Sequence, residues 1–302
     1  MNPAQSSAYE RLVAAAAGLK VPDAVREVAT APPRDPEPSQ IWRAAWEDTI
    51  QLLVITAVAD DTVQAVPVSF ERYADTDTLL LPAGASTLEQ PLALWWGLQL
   101  SLPWYVLDRQ VSQLTVPLPA STGPALPHEV PPGATWGSTA PHPPTAAAAE
   151  YRGVLADSLA ELSAAQWVPQ GSGALPELLQ RRGITIKQLA SQLNLQPPHA
   201  LEVWRGQAPL TPEQAEDLAT ALGLGADEVL AANPALPAPV IHELSRPSRR
   251  PQVRALATRT ATSEPDARRR AAFGIYALAA RQEGSTTDWG ARTDRYFELH
   301  LH

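Results

Sequence analysis

Residues 183–206 read Gly-Ile-Thr-Ile-Lys-Gln-Leu-Ala-Ser-Gln-Leu-Asn-Leu-Gln-Pro-Pro-His-Ala-Leu-Glu-Val-Trp-Arg-Gly. The pattern predicts two short helices joined by a tight turn. Thr185 is a natural N-cap for the first, which runs to Leu193. Asn194 supplies the turn, because Asn tolerates the left-handed conformation better than most residues. The second helix runs from Pro197 to Trp204 and stops near Gly206. Proline suits a first helical turn, where its missing N–H costs nothing. Ile186, Leu189, Ala190 and Leu193 share one face of the first helix, and Ala200 and Val203 continue the stripe on the second.

These positions resemble the helix-turn-helix of the XRE family, the lambda-repressor/Cro-like DNA-binding domains. Gly183, Leu189, Ala190, Leu193, Leu195, Val203, Arg205 and Gly206 carry the likeness. It extends over residues 174–235, with Pro209–Leu224 similar to the family's fourth helix and Asp227-Glu-Val-Leu opening its fifth. The resemblance implies a five-helix bundle at 173–236 whose second motif helix enters the major groove of double-stranded DNA. Carried over residue by residue, Gln196, Pro197, Pro198 and His199 meet base edges, with Glu202 one turn later. Lys187, Gln188 and Arg205, helped by Arg181 and Arg182, meet phosphates. Proteins of this kind act as dimers, so a homodimer is expected.

Charge weighs against DNA across the segment and for it locally. Residues 175–234 hold Arg181, Arg182, Lys187 and Arg205 against Glu177, Glu202, Glu213, Glu216, Asp217, Asp227 and Glu228, a balance of −3. The four cations nevertheless cluster between 181 and 205. Phosphate neutralisation provides most nonspecific affinity for DNA, so a local basic edge is the feature that decides between a DNA reader and a bundle that binds protein instead.

The whole chain of 302 residues carries 23 basic and 32 acidic side chains, a formal balance of −9. That length suits two or three domains. Residues 1–150 hold seven basic and sixteen acidic side chains, whereas residues 242–302 hold eleven arginines and seven acids. An acidic front half repels nucleic acid; the arginine-rich end is suited to nucleic acid or an acidic protein partner. Cysteine is absent, which excludes disulfides and thiolate chemistry. The apolar run Leu52–Ala57 is far shorter than the roughly 20 residues that span a bilayer. The opening Met-Asn-Pro-Ala-Gln-Ser-Ser lacks a basic-then-apolar signal, so a cytoplasmic location is expected.

Working outward from the motif, the sequence divides into six segments. Residues 1–40 hold an amphipathic helix at Ser7–Leu19 and a connector at Val21–Gln40. Residues 41–116 are β-rich, with strands at Ile41–Trp46, Ile50–Val58, Val63–Phe70, Thr78–Pro82 and Leu102–Asp108. A short helix is expected at Leu88–Leu100, and Ala-Asp-Asp-Thr is expected to turn a hairpin between the second and third strands. Residues 117–149 form a linker, with nine prolines in 117–144. Residues 150–172 carry a helical stripe at Tyr151, Val154, Leu155, Leu159 and Leu162. Past the bundle, residues 237–302 are expected to be an arginine-rich segment with a helix at Pro265–Gln282 and a short strand at Tyr296–His302. The expected class is therefore α+β and multidomain.

The strand order of 41–115 resembles the SH3-like barrel of MazF/PemK-type ribonucleases. Pro67-Val68 matches one element, but no arginine precedes it, and Arg43, Glu47, Asp48 and Thr49 form no evident acid–base pair. The resemblance implies the barrel fold, with its activity absent. A phosphate-cradling glycine loop and a His-Glu-x-x-His motif are both missing. The six histidines are scattered; only His300 and His302 have a spacing a metal uses, and no metal or cofactor is expected. Trp42, Trp46, Trp95, Trp96 and Trp104 are assigned to the core rather than to base stacking. The expected function is a sequence-specific transcriptional regulator and not an enzyme. The alternative is an antitoxin or immunity-type regulator that masks a partner through Arg268–Tyr276; a ribonuclease fused to its own regulator is a third reading.

Overall fold

Strand β1 (Gln40–Trp46) is apolar on both faces, and each face finds a cover. Ile41 points into a core shared with Val54, Val66, Val68 and Leu79. Trp42, Ala44 and Trp46 point the other way, into a core built jointly with the helices. In this computed structural model the described residues are 22–70, 73–118, 130–137, 146–168, 171–280 and 288–301. They form an α+β structure with eight antiparallel strands and eleven α-helices.

A two-residue turn at Glu47-Asp48 leads from β1 into β2 (Thr49–Val58), in register Ile41↔Val54 to Trp46↔Thr49. The Ala-Asp-Asp-Thr hairpin forms as expected, with Ala59 N–H donating to Thr62 O at 2.9 Å, and β3 (Thr62–Ser69) returns along β2. Three more strands follow: β4 (Thr78–Leu81), β5 (Leu92–Trp95) and β6 (Leu100–Pro103). The sheet divides on β3, whose first half pairs with β6 and whose end pairs with β5. With β7 (Leu107–Gln113) and β8 (Thr135–Trp136) the order is β7-β1-β2-β3-β5-β4-β8. A bridge between Ser86 and Leu114 ties the segment after β4 to the end of β7.

Helix α1 (Asp23–Thr30) lies on β7, and α2 (Ala146–Ala164) crosses β2 and β6. Next come α3 (Leu175–Arg181), α4 (Ile186–Gln192), α5 (Pro197–Trp204), α6 (Pro212–Leu222) and α7 (Ala226–Ala231). Four more finish the chain: α8 (Ala238–Ser245), α9 (Arg250–Thr260), α10 (Glu264–Ala280) and α11 (Trp289–Leu301). One apolar core runs from Trp42 and Leu53 on the sheet through Leu162, Leu189 and Val203 to Phe273 and Phe297.

Two arginines of the C-terminal segment are internal. Arg250 and Arg268 are 2% and 0% exposed. Arg250 donates to Val106 O at 2.8 Å and to Ala45 O at 2.5 Å, satisfying carbonyls just past the end of the β1–β7 ladder. Arg268 donates to Leu244 O and lies over the Tyr105 and Trp167 rings at 5.9 and 5.7 Å. Both guanidinium groups converge on the Glu264 carboxylate, as does Arg254, at 2.9–3.0 Å. Burial lowers the Arg268 pKa to about 10 against the opposing pull of Glu264. For Glu264, burial alone raises the pKa, but Arg250 and Arg268 outweigh it and hold the carboxyl below its usual range.

Several expectations are corrected. Leu88–Leu100 is not a helix: Leu92–Trp95 is a strand buried on both faces, and only Trp96–Leu98 makes a 3-10 turn. Leu102–Asp108 is not one strand, because a 3-10 turn at Trp104–Val106 follows Pro103 and separates β6 from β7. The connector at Val21–Gln40 contains α1. Within the proline-rich linker, Thr135–Trp136 docks as an edge strand on β4, and Trp136 meets Trp96 edge-on at 6.4 Å. Tyr296–His302 is not a strand. Residues 296–301 belong to α11, where Thr293, Tyr296 and Phe297 form the buried stripe at spacings of three and four. His300 therefore packs on Tyr296 and approaches Glu213 at 3.4 Å instead of facing a metal with His302, which lies outside the described residues. The helix expected at Ser7–Leu19 also lies outside them.

Gly274 on α10 lets α11 approach closely, since a Cβ there would overlap the Tyr296 ring. Gly274→Ala is expected to lower stability by about 1–3 kcal/mol, as overpacking does. Urea denaturation reads this as a lower midpoint with an unchanged slope.

Candidate nucleic-acid interface

The motif is built as its local chemistry dictates. Thr185 caps α4: its hydroxyl accepts from Gln188 N–H at 3.3 Å, and Gln188 Oε1 accepts from Thr185 N–H at 2.9 Å. Asn194 takes the left-handed conformation at φ 49°, turning the chain between α4 and α5. Asn194→Gly is expected to be tolerated, and Asn194→Val to cost about 1–2 kcal/mol through backbone strain. Thermal midpoints of the two variants check the order. Leu189, Leu193, Ala200 and Val203 are buried between the helices. Trp204 Nε1 donates to Ile184 O at 3.2 Å, so this ring closes the motif on itself. Gly206, at φ 70°, ends α5 where a Cβ would meet Pro176 Cγ at 2.9 Å. Buried Asn233 clamps the following loop by two hydrogen bonds to Leu210, at 2.9 and 3.1 Å.

This packing leaves one face of α4 and α5 in solvent. Lys187, Gln188, Gln196, Pro197, Pro198, Glu202 and Arg205 are exposed, while His199 is half-buried. The structure leaves these residues in solvent to different degrees and with different free groups. Gln196 is the N-cap of α5, but its side chain makes no capping bond and stays available. Gln188 has its oxygen committed to Thr185, leaving only the amide nitrogen for a phosphate. His199 Nδ1 lies 3.2 Å from the exposed Glu202, and its Nε2 is buried without a partner, so the ring is held by Glu202 rather than facing outward. Pro197 and Pro198 carry no N–H, which removes two of the donors a helix start normally presents.

The basic residues of the two helical regions differ in their ion pairing. Among the described residues, Arg181, Arg182, Lys187 and Arg205 take part in no ion pair; Arg182 instead donates to Leu222 O at 3.2 Å. Most C-terminal arginines differ, although Arg259 and Arg292 take part in no ion pair among the described residues. Arg246, Arg249, Arg250, Arg254, Arg268, Arg269, Arg270 and Arg295 each pair with a carboxylate. Arg268, Phe273 and Ile275 are buried, so the stretch Arg268–Tyr276 offers little surface for masking a partner.

The sheet gathers no catalytic constellation at the residues singled out there. Arg43 pairs with Asp108 at 3.0 Å, Glu47 and Asp48 are exposed in the β1–β2 turn, and Thr49 bonds Glu161 of α2. Trp42, Trp95 and Trp96 are fully buried, and Trp46 and Trp104 nearly so. No group of three His, Asp or Glu side chains among the described residues is placed to hold a metal.

No family model matches the chain, and no curated protein does. A solved structure of Streptomyces albus HEPD, with its substrate 2-hydroxyethylphosphonate and Fe(II) bound, aligns with 12% identity and a TM-score of 0.19. The alignment covers 63% of this chain and 45% of that one, and a likeness so slight supports no argument about fold or chemistry. The functional reading therefore rests on the helical edge itself.

Proposed function

We propose that the protein is a sequence-specific DNA-binding transcriptional regulator of the XRE helix-turn-helix type, acting in the cytoplasm as a homodimer. The five helices α3–α7 serve as a lambda-repressor-like unit, and the SH3-like sheet and C-terminal helices support it. The observation that carries this reading is the exposed face of α4 and α5, where Lys187 and Arg205 take part in no ion pair among the described residues, as do Arg181 and Arg182 at the end of α3, whereas eight arginines of the C-terminal segment pair with carboxylates. Lys187 and Arg205 anchor phosphates, together with Arg181 and the Gln188 amide. Gln196 reads a base edge, and Pro197 and Pro198 lay apolar surface against the groove, as apolar side chains do at thymine methyls. His199 and Glu202 shape the helix rather than read bases.

Fluorescence anisotropy with the protein's own upstream DNA and with unrelated duplexes tests the proposal, repeated from about 50 to 200 mM salt. Preference for one segment, with affinity falling steeply as salt rises, is expected. Equal affinity for all duplexes, or binding indifferent to salt, contradicts it. The antitoxin and ribonuclease readings are weaker, since Arg268 and Phe273 are buried and Arg43 is committed to Asp108.

A further inference from the structure

The ion pairs between the sheet and α9 are unequal in charge. Arg43, Arg109, Arg250, Arg254 and Arg268 all lie within 3.7 Å of only two carboxylates, Asp108 and Glu264. Asp108 alone faces three guanidinium groups, from Arg43, Arg109 and Arg254. A cluster with more cations than anions in partly desolvated surroundings is electrostatically incomplete, and an incoming anion relieves the repulsion.

A cleft opens on this cluster. It has a volume of about 510 Å³, within the range of small-molecule sites, and lies between α1, β7 and the start of α9. Arg34, Arg109 and Arg254 line it, and Arg34 has no ion pair among the described residues. The remaining acid on the wall, Glu27, is exposed. Val28, Pro33 and Pro251 supply an apolar side against which the body of a ligand packs. Guanidinium groups suit planar or tetrahedral oxyanions because their N–H donors match two oxygens at once.

We propose that this cleft binds a small oxyanion, its carboxylate or phosphate group held by Arg34, Arg109 and Arg254. The site lies away from α4 and α5, so its test is independent of DNA binding. Isothermal titration of the full chain with inorganic phosphate, and separately with succinate, is compared at constant ionic strength. Saturable binding of at least one probe is expected, and the probe that binds identifies the headgroup. The double variant Arg34→Ala/Arg109→Ala removes one unpaired cation and one long contact of 3.7 Å, so the fold is retained, as an unchanged thermal midpoint verifies. It is expected to weaken binding at least tenfold. Arg259→Ala, an exposed arginine outside the cleft lining, leaves binding unchanged. Heats no greater than those of sodium chloride for both probes overturn the proposal. So does a double variant that binds as tightly as the parent.

Discussion

Glu264→Gln is expected to destabilise the protein by about 3–5 kcal/mol, the usual cost of breaking a buried ion pair from one side. Glu264 is the common acceptor for Arg250, Arg254 and Arg268. The neutral amide keeps the volume but leaves Arg250 and Arg268, both almost wholly buried, without their carboxylate. Because these two arginines also hold Ala45, Val106 and Leu244 carbonyls, the loss propagates to the seam between the sheet and the C-terminal helices. Urea denaturation measures the effect as a fall in midpoint at constant slope; a change under about 1 kcal/mol contradicts it. The pH dependence has a definite sign. The Glu264 carboxyl is held below its ordinary value in the folded state. Its contribution is thus complete above the ordinary glutamate range and is lost as pH falls toward the folded value. The parent should lose stability on acidification through that window, and Glu264→Gln should lose less.

Lys187→Ala combined with Arg205→Ala is expected to weaken duplex binding by about tenfold per residue at roughly 0.1 M salt, equally for all sequences. Each phosphate contact removed should lower the slope of log affinity against log salt by about one unit. Gln196→Ala should behave otherwise, relaxing preference at one base position by about 1–3 kcal/mol with the salt slope unchanged. Both side chains of the double variant are exposed and unpaired, so the fold is indifferent to their loss. Anisotropy titrations at three salt concentrations separate the two behaviours. A double variant that binds like the parent removes the phosphate role of this edge.

The motif was legible in the sequence because its determinants are local. Thr185 and Gln188 cap each other three residues apart, Asn194 turns the chain by its own conformational preference, and Pro197 and Gly206 mark the ends of α5. The strands β1 to β4 were legible for a similar reason, as apolar runs bounded by turn residues. The C-terminal helices were not. Arg250 and Arg268 read as solvent-facing charge, since nothing local says that Glu264 and the Val106 carbonyl will meet them. The seven residues from Tyr296 fit period 2 as well as a helical stripe, and only burial of Thr293, Tyr296 and Phe297 together decides for the helix. At the candidate interface, the pairing of His199 with Glu202 was available in the sequence as a spacing of three on a helix.

The proposal that α5 enters a duplex groove is tested most directly by nuclear magnetic resonance on the isotope-labelled full chain, titrated with the preferred duplex. The largest amide shifts are expected at residues 185–188, 196, 199 and 205, with the sheet and α9–α11 unchanged. Shifts spread over the C-terminal arginines, or an unperturbed α5 in the presence of saturating duplex, would contradict the account.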